Sequence, residues 1–144
     1  GSAWGGGALL FEAAGGADGC VFSNCTCASL ASSPRGHVFF VFLSEGGLAL
    51  SACRLEHTER TAPVAESSGG GLYARETSVS LEACAFTGFA MFEGGGATLI
   101  LSTAHLLRCT FANCSATEHG GGVVATLATL RVSGGAFTDC SAGA

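Results

Sequence analysis

The chain has 144 residues, a formal net charge of −5, 48% hydrophobic residues and only 12% charged ones. Despite 23 glycines, so apolar a composition has ample material for a packed core and excludes a disordered chain. The six arginines stand singly at Arg35, Arg54, Arg60, Arg75, Arg108 and Arg131, with no lysine, so no basic stripe exists for nucleic acid. No apolar run approaches the roughly 20 residues that cross a bilayer as a helix.

Taken in chain order, the sequence is five copies of one pattern. The first, near 5–36, opens on the corner Gly5 to Gly7 and continues with Ala8 and Leu10, Gly15 and Ala17, then Cys20 and Phe22. The second, near 37–68, lacks the triple glycine; Phe40 stands as its marker, followed by Val41 and Leu43, Leu48 and Leu50, Cys53 and Leu55. The third, near 69–93, reads Gly69 to Gly71, Leu72 and Ala74, Val79 and Leu81, Cys84 and Phe86. The fourth, near 94–119, has Gly94 to Gly96, Ala97 and Leu99, Ala104 and Leu106, Cys109 and Phe111. The fifth, near 120–144, has Gly120 to Gly122, Val123 and Ala125, Leu130 and Val132, Gly135 and Phe137. Thirteen positions separate marker from cysteine column each time, from Gly7 to Cys20 through Phe40 to Cys53 and onward. Copy lengths of 33, 31, 25 and 26 place a surplus loop after the third apolar segment of the first two copies, near 26–36 and 59–68.

Within each copy the apolar residues alternate with period two, three times over, which predicts three short strands joined by tight corners. No segment has the length and 3.6-residue period of a crossover helix. A strand this short cannot bury its apolar side alone, and stacking one copy on the next solves that with continuous parallel ladders. The predicted fold is all-β: a parallel β-helix of about five coils and three faces, one domain over 1–144, expected to be a segment of a longer protein. The glycine corner serves a bend with positive φ, which is cheap only without a Cβ.

The run Phe111 to Ala116, Phe-x-x-Cys-Ser-Ala, followed by Gly120 to Val123, Gly-Gly-Gly-Val, resembles the FxxN and GGAI repeats of the chlamydial polymorphic membrane proteins. More broadly it is similar to the pectin-lyase-like right-handed β-helix superfamily, which includes adhesins, autotransporter passengers and other surface proteins. The resemblance implies a right-handed coil, also the usual hand of parallel crossovers, and a surface role. Where that pattern has asparagine, this chain has Cys25, Cys114 and Cys140.

Seven of the eight cysteines fall into two columns: Cys20, Cys53, Cys84 and Cys109, and Cys25, Cys114 and Cys140. Adjacent coils place same-column residues within disulfide reach, which makes Cys114 with Cys140 the first candidate bridge and Cys84 with Cys109 the second, with Cys20 and Cys53 in the same ladder. Stacked inward cysteines serve equally as free thiols, because side chains on neighbouring parallel strands run alongside one another. Both asparagines, Asn24 in Asn-Cys-Thr and Asn113 in Asn-Cys-Ser, head glycosylation sequons and share a column. The opening Gly1 to Trp4 shows no leader pattern, so an extracellular location rests on cysteines and sequons.

Catalytic signals are sparse. The two aspartates, Asp18 and Asp139, belong to opposite ends of the stack, which is poor material for paired carboxylate chemistry. Glu56, Glu59 and Glu66 with His57, Arg54 and Arg60 read as a solvated charged loop. Cys25-x-Cys27 has no recognised metal spacing, His37, His57, His105 and His119 lie in different columns, and no Gly-Lys-Ser/Thr follows any glycine corner, so no cofactor or metal is expected. Leu9, Phe42, Tyr73, Thr98 and Val124, with Phe11, Ile100, Leu101 and Leu127, predict an exposed apolar contact stripe. Uncapped end coils predict pairing with further coils of the same or a neighbouring chain. The expected function is a non-enzymatic, extracellular structural or adhesive module of a cell surface, sheath or appendage, with surface glycans among its partners. The alternative is a carbohydrate-binding or polysaccharide-cleaving β-helix acting at the long-loop corner.

Overall fold

The computed structural model describes residues 8–11, 15–23, 39–43, 45–57 and 68–143, and among these there are strands and corners but no helix. The first two copies contribute β1 (Ala8–Phe11), β2 (Gly15–Asp18), β3 (Val21–Ser23), β4 (Phe39–Phe42), β5 (Leu48–Ser51) and β6 (Arg54–Glu56). The third contributes β7 (Leu72–Arg75), β8 (Ser78–Glu82), β9 (Ala85–Thr87) and β10 (Ala90–Glu93). The fourth and fifth contribute β11 (Ala97–Ile100), β12 (Thr103–Ala112), β13 (Ser115–His119), β14 (Val123–Thr126), β15 (Thr129–Thr138) and β16 (Ser141–Ala142).

Every strand pairing is parallel, and each strand pairs with its counterpart one copy away. One sheet runs β1-β4-β7-β11-β14, another β10-β13-β16, and the largest β2-β5-β8-β12-β9-β6-β3 with β15 against β12. Chain neighbours thus sit mostly in different sheets while repeat neighbours sit side by side, an all-β parallel arrangement consistent with a solenoid. The largest sheet turns on β12, whose residues Thr103 to Leu107 pair with β8 while Thr110 to Ala112 pair with β9. Between the two stretches Arg108 takes φ 52° and bends the strand.

Such left-handed corners recur in columns. Gly19, Ala52, Ala83, Arg108 and Gly134 all have positive φ immediately before the cysteine column, and Gly88, Asn113 and Asp139 do so two residues after its phenylalanine. A non-glycine residue there costs roughly 1–2 kcal/mol. Coil-to-coil bonds such as Ala52 N–H to Glu82 C=O and Ala83 N–H to Leu107 C=O, both 2.8 Å, hold the corners in place.

The triple glycine has two distinct duties. Its first member carries the bend, with φ 66°, 58° and 62° at Gly69, Gly94 and Gly120. Its third member leaves room for an aromatic ring: a Cβ on Gly71 would lie 2.5 Å from Phe86 Cδ1, and one on Gly96 2.6 Å from Phe111 Cδ1. The rings then stack down the column, Phe86 to Phe111 at 4.7 Å and Phe111 to Phe137 at 5.0 Å between centroids. Around them Val41, Leu55, Leu72, Leu81 and Leu99 fill a continuous buried core.

Two expectations need correction. Copy two is registered differently: Phe39 pairs with Leu72 and Leu48 with Val79, so the step from Phe39 to Leu48 is nine positions where the matching step from Leu72 to Val79 is seven. Phe40 is therefore not the corner marker, and Phe39 and Val41 are the buried pair. The two extra residues are taken up at Glu45 to Gly47, where Gly47 has φ 73° and packs against the Ser78 backbone. Part of that copy's surplus thus precedes its second strand. The β10-β13-β16 sheet is also additional to the three predicted segments, while the second and third segments fuse into one strand in copies four and five.

Copy two carries Val38 before its first strand and Leu55 in the ring column, where copies three to five pair glycine with phenylalanine. Gly71→Ala is accordingly expected to lower stability by about 1–3 kcal/mol through overpacking against Phe86. In a Phe86→Leu background the same change should cost less than half as much, measured by denaturant unfolding in a double-mutant cycle.

Candidate functional site

The cysteine columns are inward and largely buried. All six described cysteines are free thiols in the structure, including both members of the candidate pairs Cys114 with Cys140 and Cys84 with Cys109, and Cys20 and Cys53 in the same ladder. The reason lies in strand geometry. Parallel neighbours direct their Cβ atoms alongside one another, and each thiol turns to carbonyls of its own and the preceding coil. Cys53 Sγ lies 3.4 Å from Ala17 O and 3.3 Å from Ser51 O. Cys84 Sγ lies 3.4 Å from Leu50 O, Cys109 Sγ 3.4 Å from Leu81 O, and Cys140 Sγ 3.2 Å from Phe111 O. The columns behave as small apolar residues with weak hydrogen bonds. Cys25 and Cys27 lie outside the described residues.

Burial raises the Cys53 thiol and pushes Cys114 up to about 11. Cys84 is held above its ordinary value first by its thiol hydrogen bond to Cys109 and then by burial, while Cys109, receiving that bond, is lowered to about 7.

Asn113 is exposed, at a left-handed corner with φ 52°, between Ala112 and the buried Cys114. Asn24 lies outside the described residues, as do the surplus loop near 26–36 and the second as far as residue 67, with Glu59, Arg60 and Glu66. Of that charged group, Arg54 and Glu56 form an exposed ion pair at 3.1 Å, and His57 is buried with its ring 6.2 Å from that of Phe89.

The expected apolar stripe is only partly present. Phe40, not Phe42, is registered against Tyr73. Tyr73 and Thr98 are 2% and 1% exposed, so their column is covered within the chain instead of facing water. Phe42 stands opposite Arg75, whose guanidinium carbon sits 5.7 Å from the ring centroid. Leu101 and Leu127, stacked at a left-handed corner, do face water, Leu127 at 81%.

The neighbouring outward face is polar. His105 is registered between Ser80 and Arg131, and Thr103 between Ser78 and Thr129. The two-residue insertion in copy two rises beside this face. It makes a shallow concavity of about 290 Å³ lined by Gly46, Ser78, Ser80, Thr103 and His105, and a second of about 500 Å³ where Glu45 and Glu76 meet Leu43. Sequence reasoning missed this pair of glutamates, because only the corrected register shows that Glu45 belongs to an insertion. Among the described residues no three His, Cys, Asp or Glu side chains converge as a metal site.

The fifth copy is the other distinctive surface. Among the described residues, β14 and β16 stand last in their sheets and β15 is paired with β12. Phe137 is 51% exposed although Phe111, its registered neighbour, is 1% exposed. Val132 and Cys140 are likewise more open than Leu106 and Cys114 below them.

Comparison with family models, with curated proteins and with solved structures finds no match for this chain.

The thiols give a stability test. Cys114 keeps its proton in the folded chain up to about pH 11, whereas the unfolded chain loses it near 9. The unfolded state therefore binds fewer protons in that window, and stability should fall as pH rises from 9 to 11, by roughly 2–3 kcal/mol from this group. Cys114→Ala should make the decline shallower by up to about 1.4 kcal/mol per pH unit, measured by urea unfolding.

Proposed function

We propose that this chain is a right-handed parallel β-helix of about five coils that serves as a non-enzymatic structural or adhesive module at a cell surface, sheath or appendage. The observation that carries the reading is the column-wise use of the sequence. Glycine corners, ring stack and thiol ladders all go into maintaining a rigid parallel stack, and the exposed surface of the described residues includes a polar face and a corner of leucines. Stiffness with repeated lateral and terminal surfaces suits a stalk or filament component, whose partners are further coils of the same or a neighbouring chain, and surface glycans. Exposure of Asn113 within its sequon supports an extracellular, glycosylated form.

A second reading, carbohydrate binding or cleavage, draws support from the concavity shared by Glu45 and Glu76 beside the hydroxyl and imidazole groups of Ser78, Ser80, Thr103 and His105. It moves that activity from the long-loop corner to the insertion of copy two.

Antibodies to the chain should label intact, unpermeabilised cells that make it, and peptide mapping should find a glycan on Asn113 when a eukaryotic secretory pathway produces it. Incubated with a panel of acidic and neutral polysaccharides, the purified chain should release no reducing ends and no unsaturated products. Cleavage abolished by Glu45→Gln or Glu76→Gln would replace the first reading with the second.

A further inference from the structure

We infer that Cys84 and Cys109 form a binding site for a two-coordinate thiophilic dication of the mercuric type, held on the line between their two sulfurs. The residues occupy consecutive rungs of the cysteine column, bracketed by the bonds from Ala83 N–H to Leu107 C=O at 2.8 Å and from Thr110 N–H to Cys84 C=O at 2.9 Å. Neighbouring parallel strands run about 4.8 Å apart, with their side chains alongside one another. A disulfide needs its sulfurs at about 2.05 Å, an approach this arrangement opposes. Two metal–sulfur bonds of about 2.3 Å, the zinc–thiolate length, span about 4.6 Å in line and match the strand spacing with the backbone left in place.

The pair is already joined through a proton. Cys84 donates its thiol hydrogen to Cys109 Sγ, so an electropositive atom bridges the two sulfurs, and that bond selects Cys109 over Cys53 as the partner of Cys84. The surroundings choose the ion. Both thiols are buried in one cluster with Leu50, Leu81, Leu106, Phe86 and Phe111, where an uncompensated charge is expensive. Two thiolates around a monovalent silver or copper ion keep a net negative charge, whereas around a dication they keep none. Leu50 O and Leu81 O, 3.4 Å from the sulfurs of Cys84 and Cys109, would also repel a negative pair. Zinc asks for four ligands, and among the described residues no three His, Cys, Asp or Glu groups converge. Mercury(II), soft and satisfied by two collinear thiolates, meets each condition. On loading, two S–H bonds break, two S–Hg bonds form, and both protons leave to solvent with no change of oxidation state. Cys109, its thiol lowered to about 7, gives up its proton first. Entry awaits local opening of the third and fourth copies, which the bound ion then ties together.

Mercuric chloride is the probe. One equivalent added to the reduced full chain should release two protons in a pH-stat, and X-ray absorption should find two sulfurs at about 2.3 Å from the metal. Amide exchange of Thr110 should slow at least about tenfold on loading, while that of Ser141, bonded to Cys114 C=O in the other column, stays unchanged. In competition with excess glutathione, Cys84→Ala and Cys109→Ala should each hold the ion at least about tenfold more weakly than wild type, and Cys53→Ala and Cys114→Ala as tightly as wild type. Circular dichroism shows which variants are folded, and where one is not, the exchange comparison on the unaltered chain decides. Three or four sulfurs around the metal, protection at Ser141 in place of Thr110, or undiminished retention by Cys84→Ala and Cys109→Ala would overturn the inference.

Discussion

The structure depends on one constraint, that each copy must hydrogen-bond to the next in register. A backbone N–H of one copy meets the carbonyl of its neighbour at fixed column positions, as in Arg54 to Cys20, Ala85 to Cys53 and Thr110 to Cys84, all 2.8–2.9 Å. Each side chain then lies directly over its counterpart, and a column has to be filled by residues that stack on themselves. Phenylalanine satisfies this by face-to-face packing, cysteine by being small and weakly polar, and glycine by leaving room for both backbone and ring. The left-handed corners follow from the same requirement. Arg108 and Asn113 take positive φ because their columns do, not because their side chains favour it.

That constraint also explains why so little chemistry is visible. Among the described residues, inward positions are committed to the core and outward positions repeat along the strands. Departures from the repeat are where a surface acquires shape. The insertion around Glu45 to Gly47 breaks the regular face and brings Glu45 and Glu76 around one concavity. That concavity owes its character to the regular stack beside it.

Much of this was legible in the sequence, because a side-chain period of two and a recurring interval report directly on which residues face inward. The alternation of Leu72, Ala74, Val79 and Leu81 gave the sheets and the core, and the cysteine spacing gave the columns. Register in copy two was not legible. A misplaced marker at Phe40 and an insertion of two residues cancelled, leaving an interval that looked regular. The β10-β13-β16 sheet escaped notice because single inward residues such as Met91 and Ala116 make no alternation. Burial of Tyr73 and Thr98 was hidden for another reason: periodicity says which side of a sheet a residue faces, not what lies over that side. The Glu45 and Glu76 concavity depended on the missed insertion and was lost with it.

The central claim is in-register parallel pairing between copies, and scalar couplings across hydrogen bonds in the isotopically labelled chain test it most directly. Couplings should join the amides of Arg54, Ala85 and Thr110 to the carbonyls of Cys20, Cys53 and Cys84, and that of Ser115 to the carbonyl of Phe89. Amides coupled to carbonyls within their own copy, or close Hα–Hα contacts between neighbouring strands of the kind antiparallel pairing produces, would contradict it.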